Sequence, residues 1–145
     1  MFDELARHVH DSLKAQDSDR ALTLITKGAL GLGSSDIHYD LSETEARVRM
    51  RIDGALSTIF TLSLLEYKLL LERLKYKSEL KLNITHIPQD GQYRITEVAE
   101  GHIDVRVSTL PVRTGENVVC RVLDSTKSIP KVGELGFVWT SKRQI

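Results

Sequence analysis

Hydrophobic residues in the first part of the chain recur at the spacing of helices. The first set, three or four positions apart, consists of Phe2, Leu5, Val9 and Leu13. Polar residues 17–19 interrupt this pattern and provide an N-cap for a second helix. The apolar positions of that second helix are Ala21, Leu22, Leu24, Ile25, Ala29 and Leu30. Two N-terminal helices are therefore predicted.

The second helix runs into the stretch GALGLG at 28–33, whose glycine spacing has two interpretations. A phosphate-binding loop follows a strand, ends in Lys and then Ser or Thr, and opens a helix. Here a helix comes first, no Lys follows the glycines, and DIHYD at 36–40 alternates like a strand. Gly31 and Gly33 are therefore predicted to end the helix, since glycine readily adopts the left-handed conformation found there.

Alternation with a period of two predicts a hairpin after the first strand. In ARVRMRI at 46–52, the apolar residues point to one side and Arg47, Arg49 and Arg51 to the other. Asp53-Gly54 predicts a tight turn, and ALSTIF at 55–60 predicts the returning strand.

The second half of the chain predicts one long helix and three strands. Leucines and Tyr67 follow helix spacing over 63–82, with charged residues on the opposite side. A turn is predicted at 88–91, which includes Asp90-Gly91, and another at Gly115-Glu116. The strands are predicted near 92–98, 102–109 and 116–123, with loops at 100–101 and 111–115.

These elements predict an α+β fold in which an antiparallel sheet packs against helices on one face. We expect a PAS-like sandwich preceded by two N-terminal helices. Residues 1–17 are assigned to the N-terminal helix, 18–126 to the α+β domain and 127–145 to a linker.

Composition narrows the class of protein. The chain has 145 residues, the size of one domain, and its 20 basic and 20 acidic residues cancel, so no overall field attracts nucleic acid. Its single cysteine, Cys120, allows no internal disulfide and alternates into the expected core. No apolar run approaches the roughly 20 residues of a membrane span, and no signal peptide is evident. A cytoplasmic protein without a nucleic-acid partner is predicted.

Four separated motifs resemble one family. They are SSDIHYD at 34–40, RVRMRIDG at 47–54, IPQDG at 87–91 and DVRVSTLPVRTGENVVCRVLD at 104–124. Together they resemble the domain that precedes the motor in type II secretion and type IV pilus assembly ATPases. The resemblance covers roughly residues 20–137, with the motifs in the family's order.

The departures from that family concern single residues and a whole domain. Gln92 stands where members usually have arginine, Asp40-Leu41 where they usually have Glu-Pro, and Pro111-Val112 where they usually have Pro-Thr. The chain contains no G-x-x-x-x-G-K-[ST] motif, so it is not predicted to be an enzyme by itself. The resemblance implies a parent ATPase that uses ATP and Mg²⁺, whereas no cofactor is expected for this chain alone.

The resemblance also implies which residues approach nucleotide. Arg106 matches an arginine that faces phosphate in the family, and its planar fork can hold phosphate oxygens in pairs. Gln92 can still donate a hydrogen bond, and the loop at 111–115 presents Arg113. Without the family, Arg106 is interpreted as a solvated strand residue paired with Asp104 or Glu116.

Other polar residues are candidates for an interface. The arginine stripe, Arg47, Arg49 and Arg51, either faces solvent or docks on an acidic neighbour. Asp36 and His38 belong to an alternating Asp-x-His-x-Asp pattern that offers three metal ligands, but edge chemistry is favoured: Asp36 accepting backbone hydrogens and His38 bridging to a neighbouring strand. Asp90 is a further interface candidate, and no metal is predicted.

Two functions remain open. The first, implied by the resemblance, is a regulatory and assembly domain that docks on its own RecA-like motor domain and on neighbouring subunits of a hexamer, at inner-membrane secretion or pilus platform components. The second is a stand-alone adaptor or sensory module that binds a partner or an anionic ligand through the arginine stripe.

Overall fold

The computed structural model describes residues 2–96 and 101–125 of the chain. Within them lie three helices and six strands. The helices are α1 (Asp3–Lys14), α2 (Ser18–Gly31) and α3 (Leu64–Lys77). The strands are β1 (Asp36–Leu41), β2 (Ala46–Ile52), β3 (Ala55–Leu62), β4 (Gln89–Ile95), β5 (Ile103–Val112) and β6 (Gly115–Asp124). The predicted linker at 127–145 falls outside the described residues.

The six strands form one antiparallel sheet in the order β3-β2-β1-β6-β5-β4. Alternate residues of the strands enter a hydrophobic core that also contains apolar side chains of all three helices. Helix α1 contributes Val9 and Leu13 to this core, so it packs with the rest of the fold. The predicted α+β class with an antiparallel sheet is confirmed.

The glycine stretch ends α2, as predicted, but Gly31 is still helical and Gly33 alone of the two takes the left-handed conformation. Gly33 has a φ of +79°. The amide of Ser34 donates to the carbonyl of Ala29 at 2.8 Å, and the amide of Gly33 donates to Leu30 at 3.0 Å. These two bonds satisfy carbonyls that the helix leaves free, which is the Schellman arrangement of a helix end. The other end of α2 is capped by Asp17, whose side chain accepts from the amide of Arg20.

Helix α3 is shorter than predicted. Its start is a capping box in which Ser63 and Glu66 satisfy each other's backbone amides. It ends at Lys77 rather than near 82, because Glu79 adopts a φ of +60° and Leu80 donates to the carbonyl of Lys75. Leu80 still packs against the core, but from the following loop. Helix spacing in the sequence therefore continued past the true end of the helix.

The turn predicted at 88–91 is wrong. Residues Gln89 to Gly91 begin β4, where Asp90 pairs with Ser108 and Gly91 with Val107. Gly91 is required for close approach rather than for a turn, since a Cβ there would lie 2.5 Å from the carbonyl oxygen of Ser78. The strand predicted near 92–98 consequently begins earlier, and residues 97–98 lie outside the described part.

The turn predicted at Gly115-Glu116 is also wrong, because these residues begin β6. The true turn of this hairpin is Arg113-Thr114, and Pro111 belongs to β5. Glu116 is 3% exposed, and its Oε1 lies 2.6 Å from the Nζ of Lys75, which is equally buried. This ion pair joins α3 to β6 inside the core.

The Cys120 thiol and the Tyr67 hydroxyl, on the covered side of the sheet, have pKa values shifted by burial. Burial raises the pKa of the Cys120 thiol to about 12, which agrees with packing rather than nucleophilic chemistry. Burial also raises the pKa of Tyr67, whose hydroxyl donates to the backbone carbonyl of Glu116 at 2.7 Å. In the described ranges, no helix has the length and apolar composition needed to cross a bilayer.

Candidate functional site

The sheet face opposite the helices, which we call the open face, carries eight of the nine predicted site residues. Alternation places there the residues next to the core positions of each strand. The eight are Asp36, His38, Arg47, Arg49, Arg51, Asp90, Gln92 and Arg106. Strands β1, β2, β4 and β5 supply them, so the sheet gathers residues that are up to 70 positions apart in sequence.

The arginine stripe on β2 is neutralised by carboxylates of the protein itself. Arg47 lies 3.7 Å from Glu45. Arg49 donates to Asp40 at 3.1 Å, and Arg51 lies 3.6 Å from Asp36. Because each guanidinium already has a nearby carboxylate, the stripe carries little unbalanced charge for an acidic partner.

The alternating acids of β1 pair with arginines. Asp40 interacts with Arg49 and with the amide of Asn117, and Asp36 lies between Arg51 and Arg121. The predicted backbone role for the Asp36 side chain is therefore wrong, and β1 is a central strand rather than an edge. The described residues contain no group of three or more potential ligands arranged for a metal ion.

His38 and Asp90 occupy separate positions on the open face. His38 lies opposite Arg49 on one side and Val119 on the other. Asp90 accepts a hydrogen bond from the hydroxyl of Ser108 at 2.7 Å. The two residues lie on β1 and β4, which are not neighbouring strands in the sheet.

Arg106 differs from every other arginine of the sheet and its turns within residues 2–96 and 101–125. The six others each have a carboxylate at ion-pair distance. Arg106 is exposed and has neither a hydrogen bond nor a carboxylate partner among the described residues. The acids expected to neutralise it are engaged elsewhere: Asp104 with Arg94 at 2.9 Å, and Glu116 with Lys75.

The neighbours of Arg106 make its surroundings more positive. Gln92 lies directly opposite on β4, and Arg121 lies directly opposite on β6. Like charges at opposed positions repel each other across a sheet. Arg121 was not identified from the sequence, although its position next to Cys120, which alternates into the core, places it on the open face. The unbalanced positive charge at this point is suited to an oxyanion.

Arg113 lies away from this point. It sits in the turn between β5 and β6, where it donates to Glu43 at 3.0 Å. It is seven positions along the chain from Arg106, which in extended chain is a distance of roughly 23 Å. One phosphate chain contacting Arg106 and Gln92 would therefore not reach Arg113 in this arrangement.

The Asp104 carboxylate also shows the effect of its partner. A hydrogen bond from Arg94 lowers the pKa of Asp104, and the nearby His102 acts in the same direction. Asp104 therefore stays ionised and paired with Arg94 at neutral pH, and is not free to neutralise Arg106.

The fold and the open face define an antiparallel α+β domain with a localised cationic point, and comparison with known proteins supplies its family. The sequence model of the family described as "Type II/IV secretion system protein" matches residues 12–145. The chain belongs to that family.

Three relatives illustrate the similarity. The type IV pilus assembly ATPase PilB of Acinetobacter baylyi is 35% identical over 109 residues, which is 75% of this chain and 19% of that protein. The type II secretion system protein E of Dickeya dadantii is 33% identical, covering 99% of this chain and 30% of its own length. The type II secretion system ATPase E of Vibrio cholerae is 33% identical, with 88% and 26% covered. The chain thus spans between 19% and 30% of these relatives.

Proposed function

We propose that this chain is a regulatory and assembly domain of a hexameric ATPase that powers type II secretion or type IV pilus assembly. In this proposal it docks on a RecA-like motor domain through the open face and presents Arg106 to the phosphates of ATP. Gln92 adds a neutral hydrogen-bond donor beside Arg106. The motor domain would provide most of the contacts to ATP and Mg²⁺, and this chain alone would not take over that role.

The proposal rests on the observation that Arg106 has no carboxylate partner in the part of the chain that the structure describes. Six other arginines of the sheet and its turns each have a carboxylate of this chain at ion-pair distance. Leaving one guanidinium unpaired beside a second arginine favours an anion from outside the domain. The relatives named as ATPases supply the class of anion, a nucleotide phosphate.

The same geometry weighs against the stand-alone adaptor. That function needs a free arginine stripe, and Arg47, Arg49 and Arg51 are each beside a carboxylate of this chain. Arg113 is likewise beside Glu43, so we assign it to a surface contact rather than to nucleotide.

Partners and location complete the proposal. The motor domain and neighbouring subunits are the direct partners, and inner-membrane secretion or pilus platform components recruit the assembly from the cytoplasmic side. We retain the PAS-like description, the division at residues 17 and 126, and a linker at 127–145 leading toward the motor as parts of this proposal. His38 and Asp90 are the proposed docking contacts.

The test mixes this chain with the separately expressed motor domain of its own full-length protein. We expect the mixture to hydrolyse ATP faster than the motor domain alone. Arg106→Gln should lower the added ATPase rate at least about tenfold, because an arginine that stabilises charge on the transferring phosphoryl group increases the rate by large factors. The measurement is steady-state ATPase activity at saturating chain.

Arg113→Gln is the matched control. Arg113 is also an exposed arginine, in the turn between β5 and β6, but it lies beside Glu43 and away from Arg106. This variant should stimulate the motor domain as the unchanged chain does. Equal stimulation by Arg106→Gln would remove the nucleotide role of Arg106, and absence of any complex with the motor domain would overturn the assembly role.

A further inference from the structure

Arg121 lies between a carboxylate on one neighbouring strand and an arginine on the other. Strand β6 lies between β1 and β5 in the sheet. On the β1 side Arg121 is paired in register with Asp36, and on the β5 side with Arg106. A carboxylate therefore attracts its guanidinium toward one neighbouring strand while a like charge repels it from the other.

The contact with Asp36 is loose. The Nε of Arg121 lies 3.4 Å from the Oδ1 of Asp36, and that oxygen is buried without accepting a hydrogen bond. The carboxylate is 15% exposed, whereas the side chain of Arg121 is 66% exposed and has room to turn. A buried acceptor that lacks a well-formed hydrogen bond holds its cation less firmly than a bidentate pair does.

An oxyanion at Arg106 would reverse the balance. Residues directly opposite on neighbouring strands have Cβ atoms about 5 Å apart, so the guanidinium groups of Arg106 and Arg121 can both reach one phosphoryl group. Such an anion replaces the repulsion between the two arginines by attraction to a shared partner. Arg121 would then leave Asp36 and turn toward β5.

We propose that Asp36 restrains Arg121, and that a phosphoryl group bound at Arg106 recruits Arg121 by drawing it away from this carboxylate. The inference rests on the proposed anion site at Arg106 and adds its regulation. Asp36 is a positioning residue that weakens binding in the free domain. Arg51, which lies 3.6 Å from the other carboxylate oxygen, keeps Asp36 in place when Arg121 departs.

The test measures pyrophosphate binding to this chain alone by NMR titration at low ionic strength. Asp36→Asn should tighten binding about three- to tenfold, because Arg121 no longer has to leave a carboxylate. Asp40→Asn is the matched control: it removes a β1 carboxylate that pairs with Arg49 instead, and it should leave the affinity unchanged. Adding Arg121→Gln to Asp36→Asn should cancel the gain.

A second measurement uses the unchanged chain and does not depend on the folding of a variant. Pyrophosphate should shift the Nε–H signals of both Arg106 and Arg121 and the carboxyl carbon of Asp36. A shift of Arg106 without Arg121, an unchanged or weaker affinity in Asp36→Asn, or no binding to either protein would each overturn the restraint. The ATPase assay with the motor domain tests the proposed function separately, because it depends on Arg106 and not on Asp36.

Discussion

The two faces of the sheet use the same strands for opposite purposes. On the covered face, residues such as Tyr39 and Val105 are buried beneath helices, and even the ion pair of Lys75 with Glu116 is 3% exposed on each side. On the open face the ion pairs are accessible, with Arg94 56% exposed and Arg121 66% exposed. The covered face is stabilised by the burial of its side chains, whereas the open face exposes charged side chains to solvent.

The difference shows where change is tolerated. Water cannot take the place of a missing partner inside the core, so removing one charge of a buried pair leaves the other charge uncompensated. An exposed pair exchanges its partner for water or for another ion at small cost. Function that requires an arginine to meet an external anion is therefore expected on the open face, where Arg106 and Arg121 lie.

The largest expected effect comes from the buried pair. Lys75→Met should lower the free energy of unfolding by about 3–5 kcal/mol, because the Glu116 carboxylate loses the cation at 2.6 Å and remains buried. The measurement is urea denaturation at pH 7. Arg113→Gln, which removes a pair exposed by 81% and 69%, should cost less than about 1 kcal/mol.

A second change to the same pair separates lost charge from lost packing. The double variant Lys75→Met with Glu116→Gln should recover much of the stability, since no net charge stays buried. If Lys75→Met alone cost no more than Arg113→Gln, the contrast between the two faces would not hold for ion pairs.

A smaller effect is expected at adjacent residues on opposite faces of β4. Gly91→Ala should cost about 1–3 kcal/mol, because the added Cβ would lie 2.5 Å from the backbone oxygen of Ser78, which cannot turn aside like a side chain. Gln92→Ala, on the open face, should change stability by less than about 0.5 kcal/mol. Thermal unfolding of both variants checks the pair, and equal effects would contradict the assigned strand register.

The smallest expected effect is the pH dependence of the stability that one ion pair on the open face contributes. The hydrogen bond from Arg94 lowers the pKa of Asp104 in the folded chain. The unfolded chain therefore binds more protons near that pKa, so this pair stabilises the fold above about pH 4 and stops doing so as pH falls through the lowered value. Carbon-detected NMR should place the Asp104 midpoint below its ordinary value.

The controls for this titration are two arginine variants. Arg94→Gln should move the Asp104 midpoint up toward its ordinary value. Arg47→Gln, on the opposite half of the sheet, should leave it unchanged. If the Asp104 midpoint were the same in Arg94→Gln as in the unchanged chain, the pair of Arg94 with Asp104 would not be maintained in solution.

Local chemistry explains which elements were predictable. The glycine end of α2, the hairpin turn at Asp53-Gly54 and the alternation of β2 depend on residues within a few positions of one another. The turn predicted at Asp90-Gly91 was wrong because this glycine lies in a strand. Its missing side chain lets the carbonyl of Ser78 approach closely, and this contact between distant segments cannot be predicted from short-range patterns.

The sequence by itself determined the antiparallel α+β class, the outward direction of Arg106 and the family resemblance, because each depends on alternation or on ordered motifs. Only the tertiary structure decided that Arg106 has no carboxylate partner within residues 2–96 and 101–125, that Glu116 is buried with Lys75, and that Arg121 faces both Asp36 and Arg106. Charge pairing depends on which strands become neighbours, and strand order is set by packing of the whole core rather than by any local run of residues.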